Sequence, residues 1–189
     1  MRREVILEPQ AEMLMQQWQQ ELDGDVGQLP ETQNTPLTRE DFRIPNDPMR
    51  DIMGSAMEQN LVEYTDFLKR IEEMGVELNL SDESLGFRAG YGPSSSGGVP
   101  GVISIETESS LSAILHELQH AIDDYESGYQ GMRILLTDIE TRIQWERNAY
   151  NVEIEIAINM GRQDIASYLE LLFQEEVAAI IKQATQNYD

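Results

Sequence analysis

The 189-residue sequence predicts a single α+β domain, mostly helical, with a small β-sheet. Two observations carry this: long stretches repeat apolar residues every three to four positions, and short stretches between them alternate with period two. No apolar run approaches the roughly 20 residues that a membrane span needs, so no membrane is expected as a partner.

In chain order, Ala11 to Leu22 reads as a short glutamine-rich helix. Asp23 to Pro48 follows as an extended stretch punctuated by Pro30, Pro36, Pro45 and Pro48, either a strap over the domain or a mobile segment. Residues 1–48 are therefore set apart from 49–189. From Met49 to Met74 the spacing of Ile52, Met53, Ala56, Met57, Val62, Phe67, Leu68 and Ile71 predicts one long amphipathic helix closed by Gly75. Val76 to Leu80 alternates as a strand, and Leu85 to Tyr91 is a second candidate before the turn-rich Gly92–Gly98 tip. A phosphate cradle would need a helix directly behind those glycines, and Val99-Pro100-Gly101 intervenes. Val102 to Glu106 has period two and reads as a strand leading into the next helix, where an open edge would have a use in pairing with an extended peptide. Ser109 is the expected N-cap of the next helix, Ser127–Gly131 a turn, and two further helices are expected over Thr137–Met160, ended by Gly161, and Asp164–Ala184.

Composition narrows the function. Hydrophobic content of 40% and charged content of 25% are those of a globular protein, and the absence of cysteine excludes disulfides, thiolate metal sites and cysteine nucleophiles. A net charge of −22 argues against nucleic acid as a partner, because phosphate binding needs a basic face. The opening Met1 to Glu8 has too short an apolar core for a signal peptide, so cytoplasmic synthesis is expected, with signal-independent export left open.

The only two histidines stand four residues apart in His116-Glu117-Leu118-Gln119-His120, the H-E-x-x-H pattern. On a helix both imidazoles project from one face and can share a cation, while Glu117, turned by about 100°, flanks it. Chance would place two histidines at this spacing roughly once in a hundred such chains, and the glutamate lowers that by about another factor of ten. The apolar stripe of Leu111, Ile114, Leu115, Leu118, Ala121, Ile122 and Tyr125 puts the pair at the border between core and cleft.

A catalytic zinc takes three protein ligands, and with no third histidine or cysteine the last must be a carboxylate. The helix after the Gly128–Gly131 turn offers two. Glu140 completes a Thr137-x-x-Glu140 capping box, which would occupy it. Glu146 is favoured, because Ala149 three residues on would let two helices approach closely; Glu126, Glu153 and Asp138 are weaker alternatives. Asp123 or Asp124 could accept an N–H from a ligand imidazole.

The run from Leu115 to Asp124, followed by Glu146-Arg147-Asn148-Ala149-Tyr150, resembles the zincin metallopeptidases of the gluzincin kind, and most closely the small peptidase domains of bacterial toxins, effectors and phage proteins. The resemblance covers Val99 to Ala157. It implies a zincin-like domain over 49–189, Zn2+ held by His116, His120 and Glu146, and Glu117 as the base that activates the zinc-bound water. A protein or peptide substrate, and an immunity or host target protein as partner, are implied with it. Tyr150, Tyr129 and Arg88 are candidate donors to the charge that develops on the carbonyl oxygen. Two other readings compete: an inert zincin-fold binding module, and an acidic mimic of DNA, which explains the charge but not the histidines.

Overall fold

The strand with the clearest alternation lies at the centre of its sheet. The computed structural model of the chain describes residues 36–82 and 89–186. Within them β1 (Glu77–Ser81), β2 (Ala89–Gly92) and β3 (Val102–Glu106) form a mixed sheet in the order β1-β3-β2. β3 runs parallel to β1 and antiparallel to β2, with Leu78 opposite Ile103 and Tyr91 opposite Ile103 from the other side. The open edge is therefore not β3: both its neighbours are hydrogen-bonded, and the edge nearer the histidines is β2. The helix expected over Ala11–Leu22, most of the proline-punctuated stretch, and Leu85 to Arg88 of the second strand candidate lie outside the described residues.

The helix expected over Met49–Met74 is three: α1 (Arg50–Met53), α2 (Ala56–Gln59) and α3 (Leu61–Met74). Gly54 makes the first break at φ +72°, and a β-carbon there would lie 2.5 Å from the Gln59 side chain, so glycine is required on two counts. The polar groups that follow serve another partner. Ser55 Oγ donates to the Thr107 carbonyl and the Ala56 N–H to that of Ser109, stitching the break to the loop before the histidine helix. Asn60 makes the second break and returns its side-chain N–H to the Met53 carbonyl. α3 then buries Tyr64, Phe67 and Ile71, and Gly75 ends it in the left-handed conformation expected of it.

α4 (Leu111–Glu126) carries both histidines. Its N-cap is Ser110, not Ser109: the Ser110 hydroxyl accepts the Ala113 N–H, while the Asp47 carboxylate accepts both the N–H and the hydroxyl of Ser110. Ile114 and Leu118 of α4 pack on Ile103 and Ile105 of β3 and on Phe67 of α3, all 2% exposed or less. Burying each such side chain contributes about 1.5–3 kcal/mol, so this contact anchors the histidine helix to the sheet.

Past Ser127, Gly128 and Tyr129 both take positive φ, and an unanticipated short helix, α5 (Gly131–Thr137), precedes α6 (Ile139–Asn159). α6 and α7 (Gln163–Gln186) form an antiparallel pair about Ile143, Phe173, Ala157 and Leu169. Arg147 locks them, bonding both Glu170 oxygens at 2.7 and 3.0 Å while its guanidinium lies 3.6 Å from the Phe173 ring centre. The described end of the proline-rich stretch is a strap on this pair: the Phe42 ring packs at a tilt on Tyr168, whose hydroxyl donates to the Pro45 carbonyl, and Met49 is fully buried. Among the described residues no helix is long and apolar enough to cross a membrane.

Candidate metal centre

α6 packs along α4, and Ala149 on it has no exposed surface. On α6, Glu146, Ala149, Tyr150 and Glu153 fall at intervals of three and four, so one face presents two carboxylates and a phenol to the histidines. The donor atoms of His116, His120 and Glu146 lie within 4.8 Å of one another, the one such group of three among the described residues. His120 Nε2 and Glu146 Oε2 are 3.5 Å apart. That is long for a hydrogen bond and close to the roughly 3.3 Å that separates two ligand atoms on a tetrahedral zinc.

Glu153 does the work that Asp123 or Asp124 was expected to do. Its Oε1 is 2.7 Å from His116 Nδ1, and its Oε2 accepts the Ser112 hydroxyl at 3.2 Å. With Nδ1 so engaged, the free nitrogen of His116 is Nε2. Burial disfavours the His116 imidazolium, but the hydrogen bond and charge of Glu153, together with Glu117 and Glu146, outweigh it and raise the pKa to about 9. Burial would likewise raise the Glu146 carboxyl, and His120, His116 and Arg142 more than offset it, so it stays ionised below the ordinary range. The donor set is thus two imidazoles and a carboxylate, which suits zinc.

The two aspartates after His120 are structural. Asp123 accepts from Gln119 and Asn148, joining α4 to α6; burial pushes its carboxyl up. Asp124, 1% exposed, accepts the Tyr91 hydroxyl and the Gly131 N–H, each at 2.6 Å, and the Ser127 hydroxyl. This pins β2 and the turn to α4. Gly131 sits so close that a β-carbon would lie 2.8 Å from Asp124 Oδ1 and from Pro93, which is why the turn has no side chain there.

Glu117 points to β2, where its Oε2 accepts the Tyr91 N–H at 2.6 Å. A cavity of about 510 Å3 opens here, with His116, Glu117, Tyr150 and Glu153 on one side and Leu169, Leu172 and Glu176 of α7 on the other. The Tyr150 ring stands edge-on to His116, centroids 5.0 Å apart; burial pushes its pKa far up, so the hydroxyl keeps its proton. Tyr129 is not at the site, since its hydroxyl donates to the Met74 carbonyl, and Arg88 lies outside the described residues.

Glu140 is not brought to the histidines. The N-cap of α6 is Asp138, whose carboxylate accepts the N–H and hydroxyl of Thr141, so the Thr137-x-x-Glu140 capping box does not form and Glu140 is exposed in the first turn. Glu126 is exposed at the end of α4. Spacing alone could have found Glu153, which is seven residues, two turns, beyond Glu146 on the same face. Glu176 had no sequence signal, because only the packing of α7 on α6 brings it near. No family model, curated protein or solved structure matches this chain.

Proposed function

We propose that the chain is a zinc-dependent peptidase of the zincin kind. The observation that carries this is the convergence of His116, His120 and Glu146 on one point, with the base Glu117 beside His116 on the wall of a cavity. Zn2+ held by these three side chains would supply Lewis acidity to a water molecule and to the carbonyl of a peptide.

The chain's own groups divide the remaining work. Glu153 keeps the proton on His116 Nδ1 and so orients the ring. Glu117 takes a proton from the attacking water at its carboxylate and returns it to the departing amine nitrogen. The Tyr91 N–H holds that carboxylate at the β2 edge until substrate enters. Tyr150, whose hydroxyl has no hydrogen-bond partner among the described residues, offers a proton to the oxygen on which negative charge develops.

The test compares the wild-type chain with Glu117→Gln for zinc content and for cleavage of a mixed peptide library. Retained zinc with cleavage reduced at least about a hundredfold is expected. Unchanged cleavage in the variant, or a folded and zinc-loaded wild type that cuts nothing, would overturn the peptidase reading, and the second result would leave a binding module.

A further inference from the structure

Four carboxylates line the cavity beside His116, and three of them are engaged. Glu117 accepts the Tyr91 N–H, Glu153 holds His116, and Glu175 at the rim pairs with Arg39 at 2.7 Å. Arg39, whose other guanidinium nitrogen donates to Asn46, is thereby also engaged. Glu176 is the exception: it is half-buried and makes no hydrogen bond or ion pair among the described residues. Burial raises its pKa, with Glu146 adding to the effect; the charges of Arg142, His116 and His120 act the other way, but none of the three forms an ion pair or hydrogen bond with it. Nor does Glu176 belong to the group of side chains that can share one metal ion.

Its surroundings specify a guest. Leu169, Leu172, Glu176 and Ala179 fall at heptad-like intervals on α7 and make one wall of the cavity, three apolar positions around a single carboxylate. The volume exceeds any one side chain and admits a side chain with its flanking main chain. A long side chain with an aliphatic stem and a cationic end would lay its methylenes on the leucines and bring its charge to Glu176. An acidic guest would meet four carboxylates, and a neutral one would leave Glu176 desolvated and unpaired.

We infer that the α7 wall is a specificity pocket for a lysine or arginine side chain next to the bond to be cut, with Glu176 as the residue that selects it. This rests on the peptidase reading of the same site, so the test separates the two. Isothermal titration of the zinc-loaded full chain with N-acetyl-Ala-Lys-Ala-amide and its leucine counterpart should show the lysine peptide bound about tenfold more tightly. In Glu176→Gln the ratio should fall to about one, and Glu176→Lys should turn the preference toward N-acetyl-Ala-Glu-Ala-amide. A chain of charge −22 attracts cations everywhere, so a lysine preference that survives Glu176→Gln would overturn the inference. So would equal affinities, or no binding of either peptide, in the wild type, a comparison that needs no variant to fold. Cleavage of a mixed library separates the readings: a Glu176-dependent lysine preference without cleavage leaves the pocket standing and removes the peptidase, whereas cleavage with no basic residue beside the cut does the reverse.

Discussion

The two sides of the cavity are built on opposite rules. On the α4–α6 side most polar groups are bonded to one another, the Tyr150 hydroxyl excepted: His116 to Glu153, Glu153 to Ser112, Glu117 to the Tyr91 N–H, Asp123 to Asn148. On the α7 side the wall is apolar, and its one half-buried carboxylate has no partner. A bonded network holds its side chains at fixed positions, as a metal requires, because displacing one leaves a buried group unpaired. A wall with a free charge is complementary to something that is not part of the chain. On the proposed reading, one helix pair would hold and activate and the third helix would recognise.

The largest effect should come from breaking the ligand set itself. His116→Ala and Glu146→Ala each remove one of three donors, and zinc affinity should fall by more than about a hundredfold. Zinc content after gel filtration reads this directly. The same loss should appear as a melting temperature that zinc no longer raises, whereas chelation should lower that of the wild type. Retention of stoichiometric zinc by Glu146→Ala would show that α6 does not complete the site. Glu153→Gln comes next. It keeps an acceptor for His116 Nδ1–H but removes the charge, so zinc should bind about ten- to a hundredfold more weakly while the chain stays folded. If zinc affinity is unchanged, the bonded side of the cavity does not tune the metal, and the contrast between its two walls loses its basis.

The parts of the molecule legible in the sequence are those written locally. Gly75 and Gly161 stop their helices where expected, each with positive φ, and the histidine helix follows from a 16-residue pattern of buried positions. What was not legible depends on partners distant along the chain. Ser110 replaces Ser109 as the cap because Asp47, 63 residues earlier, takes both its N–H and its hydroxyl. The helix expected over Met49–Met74 breaks because Ser55 and Ala56 spend their donors on Thr107 and Ser109. β3 lies at the centre and not the edge because a parallel pairing with β1, 25 positions away, leaves no mark on the alternation of either strand. The candidate site divides the same way: the ligand pair and Glu146 are spaced along single helices, whereas Glu176 arrives from the last helix.

A third perturbation should leave the metal alone and act on the frame. Asp124→Asn puts an amide N–H2 where an oxygen accepted from Tyr91, Gly131 or Ser127, so one buried donor faces another. Denaturant unfolding should show a loss of about 1–3 kcal/mol, with zinc stoichiometry kept. Zinc loss without destabilisation would move Asp124 into the site.

The smallest effect is expected where sequence spacing offered the nearest rival to Glu146. Glu140 has the same side chain, lies on the same helix six residues earlier and follows His120 by twenty positions, yet it stands in an exposed first turn whose cap is Asp138. Six residues are about 1.7 turns, which carries its side chain more than 100° around α6 and about 9 Å along it, away from the face that meets α4. Glu140→Ala should therefore leave zinc content intact and change stability by no more than about 0.5 kcal/mol. Loss of zinc in this variant and its retention in Glu146→Ala would place the third ligand at the start of α6, and would require that helix to enter the site about 1.7 turns further along than its packing on α4 allows.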